Sequence, residues 1–206
     1  MKRIAVFASG RGSNFSAILE QIERGLIPAT VACVVSDHVH PPVFDIAGEH
    51  DIPTHWVNRK HFSAAEDYGK FLISLLESYQ VDLVVLAGFL KLIPAPLVER
   101  YKHAMINIHP ALLPNFGGKG FYGMKVHKAV IESGIGTTGV TIHFVDEHYD
   151  KGLVILQEKV NVLPDDTAET LAHRVLELEH RAYPKVVKAI CENKVYVSDG
   201  KVIWKK

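Results

Sequence analysis

Apolar runs of strand length alternate along this chain with longer stretches whose apolar positions recur at helical spacing. The first strand is expected over Ile4 to Ala8, followed by a helix from about Asn14 to Arg24. Val31 to Ser36 is the second strand; a helix near Val43 to His50 then leads to a short strand around Thr54 to Val57. Ser63 opens an amphipathic helix that runs to about Tyr79. Leu83 to Ala87 is apolar at every position, as a central parallel strand covered on both faces requires. Met105 to Ile108 is the next strand, a helix occupies about Lys125 to Ser133, and Thr138 to Val145 and Leu153 to Val160 are strands. A long helix is expected from Thr167 to Cys191, broken or bent at Pro184, where proline removes a backbone donor. Val195 to Trp204 reads as a hairpin turning at Asp199-Gly200. This alternation predicts an α/β fold: a mostly parallel, doubly wound, Rossmann-like sheet with helices on both faces and a C-terminal β-hairpin. No repeat or linker divides the chain, so 1–206 is read as one domain.

Composition narrows the function classes. Hydrophobic residues are 48% and charged residues 22% of 206, enough for a substantial core. The formal net charge is zero, which leaves no basic field to gather nucleic acid. No apolar stretch approaches membrane-spanning length, and the N-terminal apolar run is too short for a signal peptide. Cys33 and Cys191 have no CxxC spacing, as in a reduced intracellular protein, and a cytoplasmic location is expected. Histidines are scattered, with only a weak His38-Val39-His40 cluster, so no metal is expected.

Three segments carry candidate chemistry. The strand ending in Asn107-Ile108-His109 sends Asn107 and His109 out on one face, and Pro110 stops it there. In an open α/β sheet the carboxyl ends of the strands are where ligands bind. An amide donor beside an imidazole can hold an oxyanion and move a proton, the needs of acyl transfer to an amine; the same pattern also fits a strand-end histidine bonded to a turn. The first strand runs into Ser9-Gly10-Arg11-Gly12-Ser13-Asn14 and then a helix, whose free N–H groups favour an anion, with Ser13 or Asn14 as cap. Phe15 stands where a dinucleotide fingerprint needs glycine, so a monophosphate suits this loop better. The acidic loop Asp146-Glu147-His148-Tyr149-Asp150-Lys151-Gly152 is either a solvated turn or the source of a carboxylate that raises the His109 pKa. Spacing does not choose between Asp146 and Asp150.

Taken in order, these segments resemble the phosphoribosylglycinamide formyltransferase family of folate-dependent enzymes. The matching runs are Ser9 to Asn14, Leu86 to Lys91, Asn107 to Pro114, Gly139 to Asp146, Asp150 to Gly152 and Glu179 to Pro184, collinear over nearly the whole chain. The resemblance implies the formyltransferase fold and transfer of the formyl group of 10-formyltetrahydrofolate to the amine of glycinamide ribonucleotide, through a tetrahedral intermediate. It casts His109 as general acid, Asn107 as oxyanion donor and Asp150 as the carboxylate partner of His109. Gly12, Ser13 and Asn14 match phosphate positions, and Leu176 with Glu179 matches the ribose contacts. Leu90, Lys91, Leu92 and Ile93, Asn107, and the loop Asp146, Glu147, His148, Tyr149 and Asp150 match the folate pocket. On this reading the N-terminal half carries the ribonucleotide site and the C-terminal half the folate site and the catalytic residues. The partners are these small molecules alone, the protein a monomer or homodimer. The Leu113-Pro114 bond is expected to be cis.

Two features depart from the family pattern. Ala65 stands where an arginine commonly meets the folate glutamate tail, leaving Arg59, Lys60 or Lys91 to replace it. Gly117 to Gly123 is a longer glycine-rich insert, either a mobile flap or a tolerated loop. Rival readings are a methionyl-tRNA formyltransferase, expected to have a further C-terminal domain and a basic surface, and a formyltetrahydrofolate hydrolase, expected to have an additional N-terminal domain. A nucleotide-binding module, with Asp37 as its ribose acid, is more distant.

Overall fold

The computed structural model describes residues 1–205. In chain order the elements are β1 (Lys2–Phe7), α1 (Ser13–Glu23), β2 (Ala29–Ser36), α2 (Val43–Glu49), β3 (Thr54–Trp56), a 3-10 turn (Arg59–His61), α3 (Ala65–Ser78), β4 (Leu83–Leu86) and α4 (Ala95–Arg100). They continue with β5 (Met105–His109), α5 (Met124–Ser133), β6 (Thr137–Phe144), β7 (Val154–Asn161), α6 (Ala168–Cys191), β8 (Val195–Ser198) and β9 (Lys201–Trp204). Seven strands form one sheet in the order β3-β2-β1-β4-β5-β6-β7. Pairing is parallel as far as β5 and antiparallel from β5 to β6 and β6 to β7. The hairpin β8-β9 stands apart as a second small sheet.

The alternation of side chains along each strand sorts the core into two layers. Ile4 and Val6 of β1, Val34 of β2 and Val85 of β4 pack with Phe15, Val126, Leu171 and Tyr183 from α1, α5 and α6. Ala5, Phe7, Cys33, Val35 and Val84 pack on the other face with Leu72, Leu76 and Leu97 from α3 and α4. On β5, Ile106 and Ile108 belong to the first layer and Met105 to the second. Asn107 and His109 therefore share the Met105 face. Val140, Ile142 and Phe144 of β6 are in the first layer too, so Thr141 and His143 join Asn107 and His109. The antiparallel register sets Asn107 opposite His143 and His109 opposite Thr141.

Three sequence expectations are corrected. The helix α4 has six residues, too few for a periodic signal, and falls between Ala87 and Met105, where the sequence pattern assigns no element. The third helix opens at Ala65, two residues past Ser63. The last long helix is unbroken at Pro184. One missing hydrogen bond is outweighed there by burial of Ala182, Tyr183, Val186 and Val187 on the sheet. The Tyr183 hydroxyl also donates to the carbonyls of Leu86 (2.9 Å) and Ile106 (3.2 Å), pinning α6 beneath β4 and β5. The predicted Asp199-Gly200 turn is present, with φ of 50° and 70° as a type I′ turn demands. No helix among the described residues is long and apolar enough to cross a membrane.

Candidate active site

Pro110 has no N–H to offer the sheet, and β5 stops at His109. The imidazole is buried, with 4% of its residue surface exposed. Its Nε2 lies 2.8 Å from the Phe116 carbonyl and its Nδ1 3.5 Å from Asp150 Oδ2. A carbonyl only accepts, so Nε2 carries the proton and Nδ1 of the neutral ring faces the carboxylate. Asp150 Oδ2 also accepts the Gly118 N–H at 2.9 Å. Its Oδ1 lies 3.4 Å from Asn107 Nδ2 and 3.6 Å from His143 Nε2. His143 Nδ1 contacts the Phe144 carbonyl at 2.8 Å, so its Nε2 is free to accept from Asn107 Nδ2 at 3.2 Å. Asn107, His109, His143 and Asp150 thus meet as one group. The choice between the two aspartates is decided in favour of Asp150, because Asp146 instead accepts the His148 N–H at 2.9 Å.

Backbone geometry brings Asp150 in. A Cβ on Gly152 would overlap the Phe144 carbonyl, so only glycine lets the loop close onto the end of β6. Asp150 itself is left-handed, with φ +57°, a conformation that aspartate tolerates better than most residues. The Leu113-Pro114 bond is cis.

The electrostatics correct a further expectation. Asp150 was expected to raise the His109 pKa and favour the protonated acid. Burial lowers it instead, and the opposing pulls of Asp150 and of the Phe116 carbonyl do not overcome that loss of solvation. The lowered pKa favours the neutral ring. Burial pushes the Asp150 carboxyl up, but His143, His109 and the Gly118 N–H together hold it below the usual carboxylate range. Nearby His127, buried and close to His109, is lowered to about 4.

The group lies on the wall of a cavity of about 810 Å³. Leu90, Lys91, Leu92 and Ile93 line it, as do Asp146, His148, Tyr149 and Asp150; Glu147 does not. Asn14, Leu176 and Glu179 lie at its other end. There Asn14 Nδ2 donates to Glu179 Oε2 at 2.7 Å, both side chains buried. Burial raises the Glu179 carboxyl to about 7 against the pull of Asn14. This contact joins the two halves of the chain within one end of the cavity. Asn14 and Ser13 do not cap α1, a correction: the cap is Gly12, left-handed at φ +78°, where a Cβ would press into Val43. Gly12 and Ser13 do not line the cavity, whereas Arg11, between the two glycines, does. Arg11 carries no motif signal beyond its place in the loop. His143 and His127, also on the wall, had only the signal of lying on a strand or helix flanking the site. Of the cations proposed in place of Ala65, only Lys91 lines the cavity; Arg59 is occupied by the Phe62 carbonyl at 2.7 Å. Phe121 and Tyr122 of the glycine-rich insert face the same space. No group of three or more metal-ligating side chains gathers among the described residues.

Comparison with known proteins gives a consistent result. The family described as formyl transferase matches residues 2–187. The phosphoribosylglycinamide formyltransferase of Haemophilus influenzae is 36% identical over 97% of this chain and 92% of its own length. The chloroplastic phosphoribosylglycinamide formyltransferase of Vigna unguiculata is 45% identical over 100% of this chain, which spans 64% of that relative. The structure of glycinamide ribonucleotide transformylase 1 from Symbiobacterium toebii superimposes with a TM-score of 0.93 at 33% identity, covering 100% of this chain and 95% of that one. The family match over residues 2–187, the sequence similarity and the shared fold agree: the chain belongs to the formyl transferase family.

Proposed function

We propose that this chain transfers the formyl group of 10-formyltetrahydrofolate to the amine of glycinamide ribonucleotide. The observation that carries this reading is the convergence of Asn107, His109 and Asp150 within 3.5 Å contacts on the wall of a cavity that reaches the Asn14–Glu179 pair. Leu90 and Leu92, 44% and 47% exposed, give the wall near the catalytic group an apolar surface for a flat pterin ring. Glu179 suits ribose hydroxyls, and Arg11 with the start of α1 suits the phosphate. Each half-site thus draws on both halves of the chain.

In the reaction the amine nitrogen bonds to the formyl carbon and the carbonyl oxygen gains negative charge. Asn107 Nδ2 donates to that oxygen. Neutral His109 takes the proton released by the attacking amine, and Asp150 stabilises the resulting imidazolium. The C–N10 bond then breaks as the proton passes to N10, regenerating neutral His109. A resting histidine held neutral suits this proton-accepting step. The Nε2–H bond to the Phe116 carbonyl keeps Nδ1 turned toward Asp150.

The test is consumption of 10-formyltetrahydrofolate with and without glycinamide ribonucleotide. Consumption only with the ribonucleotide, with formylated product formed, supports the assignment. Consumption without it is hydrolysis and overturns it.

A further inference from the structure

The apolar wall Gly88 to Ile93 has no helix or strand of its own to hold it. Its ladder of backbone bonds ends with Ala87, whose N–H reaches the Phe7 carbonyl at 2.8 Å. Beyond that point Phe89 packs edge-on against Phe7 at 5.3 Å and Ile93 is buried in the second core layer, while the backbone of the wall is hydrogen-bonded by Ser9. The Ser9 N–H donates to the Gly88 carbonyl at 3.1 Å, and Ser9 Oγ accepts the Leu90 N–H at 3.0 Å. Ser9 Oγ–H in turn donates to Asp37 Oδ1 at 2.6 Å. Ser9 and Asp37 are 8% and 6% exposed.

The sheet order explains why these residues meet. Ser9 follows β1, Asp37 follows β2, and the wall follows β4; β2, β1 and β4 are neighbours, so three carboxyl ends lie side by side. A serine hydroxyl has one proton. With that proton committed to a buried carboxylate, the oxygen presents only lone pairs toward Leu90, and the charge strengthens the chain. Asp37 also meets the next residue of the wall, with Oδ2 3.7 Å from Lys91 Nζ, and its Oδ1 lies 3.1 Å from His38 Nδ1. One carboxylate therefore addresses Leu90 through Ser9 and Lys91 directly.

We propose that Asp37 and Ser9 are positioning residues for the folate side of the cavity: the Asp37–Ser9–Leu90 relay fixes the backbone of the wall and so sets affinity for a reduced folate that neither residue touches. The inference rests on the folate assignment above. It gives the buried acid at the end of β2 a role distinct from the ribose contact such an acid makes in dinucleotide-binding folds.

Ser9→Ala leaves the partly buried Leu90 N–H without its acceptor, and Asp37→Ala frees the hydroxyl to turn away. The experiment is calorimetric binding of tetrahydrofolate and, separately, of glycinamide ribonucleotide to the full chain. Each variant is expected to weaken tetrahydrofolate binding about fivefold, the effect of losing one ordinary, partly buried hydrogen bond. The ribonucleotide Kd should stay within about twofold of the wild type, because Asn14 and Glu179 are untouched. The double variant should be no worse than the more affected single one, since both act through one relay. Asp37→Asn keeps an acceptor oxygen for Ser9 and should restore most of the affinity, which also covers the case of a poorly folding alanine variant. Tetrahydrofolate binding unchanged in both alanine variants, equal weakening of both ligands, or no tetrahydrofolate binding by the wild type would each overturn the proposal. The binding measurement is independent of turnover, so absence of formyl transfer removes the reaction assigned above without altering this reading.

Discussion

Glu179 offers a quantitative test of how burial sets the behaviour of this site. Its carboxyl is pushed from an ordinary 4.5 to about 7 by loss of solvent, with Asn14 giving only partial relief. A folded-state carboxyl pKa above its unfolded value means that the folded protein holds the proton more tightly. The group is neutral in both states well below pH 4.5 and imposes no penalty there. As pH rises through 4.5 the unfolded chain ionises first, and the penalty on folding grows until the folded group ionises near pH 7, after which it is constant. The shift corresponds to about 3 kcal/mol at full development, and about 1 kcal/mol of that is present at pH 5. Glu179→Gln keeps the shape and an acceptor for Asn14 but cannot ionise. Relative to the wild type, it should gain about 2 kcal/mol more stability at pH 8 than at pH 5. Urea unfolding of both proteins at the two pH values reads this difference, and titration of every other group cancels between them. A stability gap of equal size at pH 5 and pH 8 would show that Glu179 is already ionised in the folded protein at pH 5 and would refute the reasoning.

His109→Ala should lower kcat by about 10²–10⁴ while ribonucleotide binding, measured by calorimetry, stays near the wild-type value. Asp150→Asn removes the charge 3.5 Å from His109 Nδ1, so the His109 pKa, already lowered by burial, should fall further in an NMR titration, with a large loss of kcat; an unmoved histidine would exclude Asp150 as its partner. Arg11→Ala should raise KM for glycinamide ribonucleotide roughly tenfold, as loss of a charge-assisted contact does, with KM for the folate unchanged in steady-state assays.

Local physics made much of this protein legible in its sequence. Strands and helices alternate because burial has a period that short windows reveal, and the short, β-branched apolar run from Leu83 to Ala87 fits the middle of a covered sheet. Pro110 by itself placed His109 at a strand end, and the alternation of β5 by itself put Asn107 on the same side. The tertiary structure decided what depends on distance through space. Asp150 rather than Asp146 faces His109 because Gly152 lets the loop fold back on Phe144. Asn14 serves Glu179, 165 residues away, instead of capping its own helix. Pro184 stays within α6 because packing on the sheet outweighs one lost bond. The His109 pKa moves down because its sign is the balance of a charge that sequence can suggest and a desolvation that only the assembled core creates.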